Sequence, residues 1–492
     1  MCLPNGQREH GPGTSGYKQG TQARYDLMDA DETELQRSFS LLDMIGFSFS
    51  IVTCWTALSG VFVIDVKAGG PAVMVFGWIG VCVVTLAVAL SMNLPPAFLH
   101  HRPVHAHRHP GHGRRQQLRR IELHPRASEP GVPQLAIERW HTVLVTNAVV
   151  PEHSPHQLAI PDNPIWNICP FIIITITLLA TNKHKQSASF VFQGFQNFTG
   201  FGQAMATIIG ILQSFIGLCC YDAPSRMTEE MTHLSRDAPK AMIQSVGLGA
   251  VTGFVFLLAL SFCIGDIDTT AASATGVPVI QIFYDSTNSR VGACFMASKT
   301  AVIVFVCSVS LIAEGSRSLF AFAADRGLPF STILSKVTSK RHIPLNATLT
   351  ATLVQMAFNS IYFGTVTGFN TIISIATTGF YISYALLLLA LLLGYITSHK
   401  NSSTQITGHF SLSLTLSFSL NALGLLFLLF AFVTFNFLSE APVDDENMNY
   451  TSAAVGAIAP VSVVTWASTA CGNGDLGARN DGFGLGIGKV KG

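Results

Sequence analysis

Charge is scarce in this sequence. Asp, Glu, Lys and Arg make up 12% of 492 residues, about half the usual share of a soluble domain, so most of the chain has no water-facing surface. The net charge is +1, and no basic block alternates with aromatics, which excludes nucleic acid as a partner. The ten Cys are scattered, mostly inside apolar runs and without CxxC spacing. They read as small packing residues, and no metal or other cofactor is expected. HExxH, GxSxG and paired intramembrane carboxylates are all missing, so an enzyme is not expected. GFGLGIGK near the C-terminus is no phosphate loop, because Phe483 stands at the first Gly position and Val490 follows Lys489. Residues 1–40 are a polar tail without the apolar core of a cleavable signal.

Apolar residues are abundant, at 49% of the chain, and mean hydropathy is +0.42. Ten apolar runs follow one another at 41–63, 72–92, 165–181, 205–220, 242–265, 291–312, 345–363, 369–396, 410–437 and 451–466. Most reach the roughly 20 residues that span a bilayer core of about 30 Å, which predicts an all-α integral membrane protein of many passes. Arg226, Arg236 and Lys240 follow one run, and Arg326, Lys336, Lys340 and Arg341 follow another. A cytoplasmic N-terminus puts both groups inside, as the positive-inside rule requires. Asp266, Asp268, Asp444, Asp445 and Glu446 then fall on the opposite side.

Residues 93–164 break the pattern. HHRPVHAHRHPGHGRRQQLRR holds six His and six Arg and has neither helical nor strand periodicity. It reads as a retained intron or a shifted reading frame rather than a folded unit. Two alternatives are a metal-binding loop and a basic loop on anionic lipid. The Gly-rich end, 468–492, has the same foreign character.

The stretch QSFIGLCCYDAPSRMTEE, 213–230, breaks an apolar helix in mid-run. The run 205–220 is 16 residues, about 24 Å long and short of the bilayer core. A second half-helix must complete it, starting near Ala223 and Pro224, because Pro fits a first helical turn. Gly217 precedes an unwound turn from Leu218 through Cys219, Cys220 and Tyr221 to Asp222. In hydrocarbon such irregular backbone is tolerated only where it is buried or lines a cavity. Its free NH groups suit a carboxylate and its free carbonyls suit an ammonium group. Asp222 reads as a substrate counter-ion, a proton relay or a helix cap, and Tyr221 as a gate, a cation-stacking ring or a packing residue. Gly249 and Gly253 form a GxxxG packing face.

WTALSGVF (55–62), AGGPA (68–72), CCYDAPSRMTEEMTHLSRDAPKAM (219–242), SRSLFAFAADRGLPF (316–330) and APVDDENMNYTSA (441–453) occur in this order. Together they resemble the amino acid, polyamine and organocation transporter superfamily, most closely fungal permeases for amino acids, 4-aminobutyrate and choline. Ala324 departs from the pattern, which usually has Arg there. The resemblance implies a LeuT-like five-plus-five inverted-repeat fold with 12 helices. About ten are recognisable here, and helices 3 and 4 fall in the foreign segment. It implies a second break at Ser59 and Gly60, so the expected substrate site comprises Ala57, Leu58, Ser59, Gly60, Gly217, Leu218, Cys219, Cys220, Tyr221 and Asp222. Glu229, Glu230, Arg236 and Asp237 are expected to form a gating loop, and Arg317 and Asp325 an inner-gate motif. The implied function is secondary active transport in the plasma membrane with an amino acid or amine substrate, protons as the coupling ion and the lipid bilayer as surroundings. A nutrient sensor, a transport-inactive paralogue and a metal carrier using the His-rich segment are the competing readings.

Overall fold

In a computed structural model, the described residues are 40–93, 165–227, 231, 234–267, 270, 277–324, 327–328, 330–338, 344–360, 366–398, 414–438, 441 and 448–472. They form mainly helices. The His- and Arg-rich segment 93–164 lies outside them apart from Asn93, as do both terminal tails but for a few flanking residues. Fifteen helices are described, in the order α1 Leu41–Val52, α2 Cys54–Lys67, α3 Gly70–Met92, α4 Ile165–Thr181, α5 Ala188–Gln193, α6 Gln203–Gly217, α7 Ala223–Arg226, α8 Leu234–Cys263, α9 Pro278–Thr287, α10 Arg290–Ala324, α11 Ser331–Leu334, α12 Leu345–Ser360, α13 Val366–Ser398, α14 Leu414–Thr434 and α15 Thr451–Gly472. Each of the ten predicted runs overlaps at least one of them. Among the described residues, six candidate spans are long and apolar enough to cross a membrane, and Ile165–Thr181, Gln203–Gly217 and Thr451–Val464 are shorter apolar helices.

Large apolar side chains face outward, among them Val83, Leu386, Leu426 and Val464, each more than 60% exposed. Ser48, Ser245, Ser310, Thr378 and Asn421 are fully buried instead. That distribution suits a hydrocarbon surrounding, where helices associate through small and polar contacts rather than by hiding apolar surface.

The chain enters α1 through a capping box, in which Asp43 N donates to the Ser40 hydroxyl and Ser40 N to the Asp43 carboxylate. This reciprocal arrangement satisfies two donors that a helix start leaves free. The turn into α3 needs Gly69 and Gly70, whose φ angles of 119° and 76° lie in the region L side chains avoid. Pro71 then opens α3 without losing a useful NH.

Trp78 of α3 organises the centre. Its indole donates to Ala250 O at 3.0 Å, and its ring lies over two glycines. A Cβ on Gly217 would stand 3.0 Å from Trp78, and one on Gly253 only 2.3 Å. Gly249 is equally constrained, since a Cβ there would stand 2.6 Å from Cys54 Sγ. The GxxxG of α8 is thus a contact face for α2 and α3. Gly253→Ala is expected to lower the stability of the detergent-solubilised protein by about 1–3 kcal/mol, the usual cost of overpacking a fixed neighbour. A thermal melt indistinguishable from wild type would show that Trp78 can move aside.

Candidate functional site

The α6–α7 interruption occupies the residues its sequence predicted. Helix α6 stops at Gly217, and Leu218 leaves helical geometry with φ −115° and ψ 25°. Cys220 adopts φ 62°, which is uncommon for a residue with a side chain. Helix α7 begins at Ala223 with Pro224 in its first turn, and Ser225 N and Oγ donate to Asp222 O at 2.8 and 2.6 Å. A helix end leaves carbonyls unsatisfied, and the Tyr381 hydroxyl takes one of them by donating to Phe215 O at 3.1 Å.

The first helical pair is also interrupted, at a different place from the one expected. Ser59 and Gly60 lie inside α2, and the Ser59 hydroxyl donates to Trp55 O at 3.1 Å. The break is at Thr53, with φ −21° and ψ 60°. Its carbonyl accepts from Thr56 N and Ala57 N at 3.0 and 3.1 Å, and the Cys307 thiol donates to Ile51 O at 3.5 Å. Nearby protein groups therefore satisfy the carbonyls, whereas Ser59–Gly60 needed no break because an i−4 bond absorbs the hydroxyl.

The two interruptions lie side by side. Met44, Phe47 and Ile51 of α1 share one buried cluster with Cys220, Ala223 and Met227. Cys54 and Leu58 share another with Leu218 and Tyr221.

Asp222 stands at the N-cap position of α7, yet its side chain makes no capping bond. It is 4% exposed, and its carboxylate faces two other partners. Arg226 Nε donates to Oδ2 at 2.8 Å, and the Tyr384 hydroxyl donates to Oδ1 at 2.5 Å. The same Arg226 Nε lies 3.1 Å from Glu314 Oε1, its NH1 donates to Ser318 Oγ at 3.3 Å, and its guanidinium sits 5.5 Å from the Phe380 ring centre. Tyr221 packs on Tyr384 with ring centres 4.9 Å apart. Glu314 is 3% exposed, and its Oε2 has no hydrogen-bond partner among the described residues. Two carboxylates therefore share one guanidinium in an apolar region, where each uncompensated charge is costly.

This cluster corrects two expectations. A pair of intramembrane carboxylates does exist, Asp222 with Glu314. Arg226, counted as an inside-facing loop charge, is instead a half-buried ion-pair partner. Glu314, Tyr384 and Thr53 were missed altogether. Ending the apolar run at Ile312 left Glu314 just outside it, although an acidic residue there is a standard functional signal. Tyr384 offered no signal beyond a hydroxyl within an apolar run.

Of the other expected site residues, Leu58, Leu218, Cys220 and Tyr221 are buried, Ala57 and Cys219 are half-buried, and Gly217 faces Trp78. Asp237 is buried in the first turn of α8, and Arg236 belongs to the same helix. Arg317 NH1 donates to Ala313 O and Ser316 Oγ on its own helix. Glu229, Glu230 and Asp325 lie outside the described residues. An open recess of about 470 Å³ lies elsewhere, lined by Gln186, Phe190, Gln196, Phe198 and Asp266 among others.

Among the described residues, several long apolar helices, lipid-suited outer faces and a buried ion cluster at an interrupted helix define a multi-span integral membrane protein. The chain belongs to the amino acid permease family, whose profile matches residues 165–459. It is 48% identical over 455 residues to a Macrophomina phaseolina protein assigned to amino acid or polyamine transport, covering 84% of this chain and 97% of that one. It is 25% identical over 474 residues to the choline transporter of Saccharomyces cerevisiae, covering 88% and 82%. A rice homologue of the amino-acid permease BAT1 is likewise 25% identical over 484 residues, covering 88% and 91%. The chain is accordingly a membrane transporter and not an enzyme.

Proposed function

We propose that this permease is a proton-coupled secondary transporter of an amino acid or a related amine, such as 4-aminobutyrate or choline. It works by alternating access on a LeuT-like inverted-repeat fold in the plasma membrane, with its N-terminus in the cytoplasm. The observation that carries this reading is the adjacency of two interrupted helices beside the ion-paired Asp222. Unwound backbone at Leu218–Asp222 offers NH groups to a carboxylate, and the Asp222 carboxylate beside Tyr221 and Tyr384 suits a positively charged amine. Ala57, Leu58, Ser59 and Gly60 form the next turns of α2 beyond the Thr53 break, on the wall of the same site. These relatives agree with a substrate that carries an amino or quaternary ammonium group, since their names cover amino acids, polyamines and choline.

The test is uptake of labelled alanine, 4-aminobutyrate, spermidine and choline by cells that lack their own carriers and make the full chain. At least one probe should accumulate, and a protonophore should collapse the accumulation. Cys220→Trp places a large ring on a buried residue of the break, and uptake should fall by at least about tenfold, or 1.4 kcal/mol, at equal surface expression. Normal uptake by that variant would move the substrate site away from the break. Saturable binding without uptake in the wild type would favour the sensor reading.

A further inference from the structure

We propose that Glu314 is the group that carries the coupling proton, and that Arg226 is a tethered cation holding Glu314 to the α6–α7 break whenever it is charged. This rests on the proton-coupled reading above.

The argument begins with a charge count. Asp222 and Glu314 are both buried, and Arg226 Nε serves both, at 2.8 and 3.1 Å. Each oxygen of Asp222 has a donor, Arg226 on one and Tyr384 on the other. Glu314 has one oxygen on Arg226 and the other, Oε2, buried without a partner among the described residues. With both carboxylates ionised, the cluster holds one negative charge in excess, and the site of that excess is Oε2. Other titratable or charged groups around it are Cys220 of the break and Cys307 and Arg317 of α10. Arg317 is directed to the Ala313 carbonyl and the Ser316 hydroxyl of its own helix. Helix α1, which packs on α10, presents Met44, Phe47 and Ile51 to this region, and its Asp43 is engaged with Ser40. None of these supplies a balancing cation. At 3% exposure Glu314 has room for a proton, while an ammonium group would need the helices to part.

The step balances simply. A proton from one aqueous side binds Oε2 and converts the carboxylate to a neutral acid, leaving Arg226 and Asp222 as a one-to-one pair. Release of that proton to the other side restores the carboxylate and its attraction for Arg226. The neutral form frees α7 from α10, and the charged form draws them together. Protonation thus sets whether the half-helix after the break can move with substrate.

Glu314→Gln mimics the neutral acid. In proteoliposomes with a gradient of one pH unit, a one-proton carrier supports accumulation of about tenfold. The variant should lose that accumulation while still exchanging labelled for unlabelled probe (whichever of alanine, 4-aminobutyrate, spermidine or choline the wild type takes up), with the pH dependence of exchange gone. Glu314→Asp should restore a pH dependence with a displaced midpoint. Proton-dependent accumulation by Glu314→Gln would overturn the proposal and leave the transport reading standing. Loss of both exchange and probe binding would overturn it in favour of an amine contact at Glu314. A wild type whose uptake ignores both pH and protonophore would sink the coupled reading itself. A measurement on the unmutated protein guards against misfolding of the variants. Dicyclohexylcarbodiimide adds to protonated carboxyls in apolar surroundings, so peptide mass spectrometry should find the adduct on Glu314, increasing as pH falls. Its absence at every pH would equally overturn the assignment.

Discussion

Arg226→Ala is expected to be the most destabilising single change at the break. It removes the cation shared by Asp222 and Glu314 and leaves two buried carboxylates facing each other. Removing one partner of a buried ion pair costs about 3–5 kcal/mol, and here the residual interaction is repulsive as well. The apparent melting temperature of the solubilised protein, followed by size-exclusion chromatography after heating, should fall sharply. The double variant Arg226→Ala with Glu314→Gln should recover much of that loss, because it removes the second charge. Such non-additivity is the signature of residues in one network. If the double variant is no more stable than Arg226→Ala, the guanidinium does not act by balancing Glu314.

Asp222→Asn should behave in the opposite way, remaining stable while losing transport. The amide keeps the shape of the carboxylate, and its oxygen can still accept from the Tyr384 hydroxyl, which now donates at 2.5 Å. Arg226 is left with Glu314 as a one-to-one pair, so the cluster becomes neutral. Stability should change by no more than about 1 kcal/mol, the net worth of a typical hydrogen bond. Uptake should nevertheless fall by roughly a hundredfold, since a substrate ammonium would lose a charged partner that contributes about 1.5–3 kcal/mol. Melting and uptake measured on the same preparation separate the two effects. A variant that melts early, or one that transports normally, would show that Asp222 has a structural role alone.

These two outcomes oppose each other because the cluster is organised by charge count rather than by contact area. Arg226 is the single cation between two anions, so its loss raises the imbalance, while neutralising Asp222 removes it. The Tyr384 hydroxyl and the Tyr221 ring add orientation, holding the Asp222 side chain away from the capping bond it would otherwise make to α7.

Much of this architecture was legible in the sequence. Ten apolar runs gave the helices because a bilayer demands length and continuous apolarity, and both are local properties. The α6–α7 break was legible for the same reason: Gly217 and Pro224 bracket a run too short to span, and Pro dictates where helix can resume. The first break was misplaced because Ser59–Gly60 looked equally permissive. Within α2 the Ser59 hydroxyl simply bonds back to Trp55 O, whereas Thr53 carries no distinctive residue pattern.

The sequence by itself therefore determined the class, the helices and the position of the second interruption, all of which follow from composition and nearest neighbours along the chain. Only the tertiary structure decided that Asp222, Arg226, Glu314 and Tyr384 form one cluster. Glu314 lies 92 positions from Asp222 and Tyr384 lies 162 away, and nothing in local periodicity couples residues so distant. Helices α7, α10 and α13 bring them together, and the energy of the site comes from charges brought close in a medium that screens them weakly.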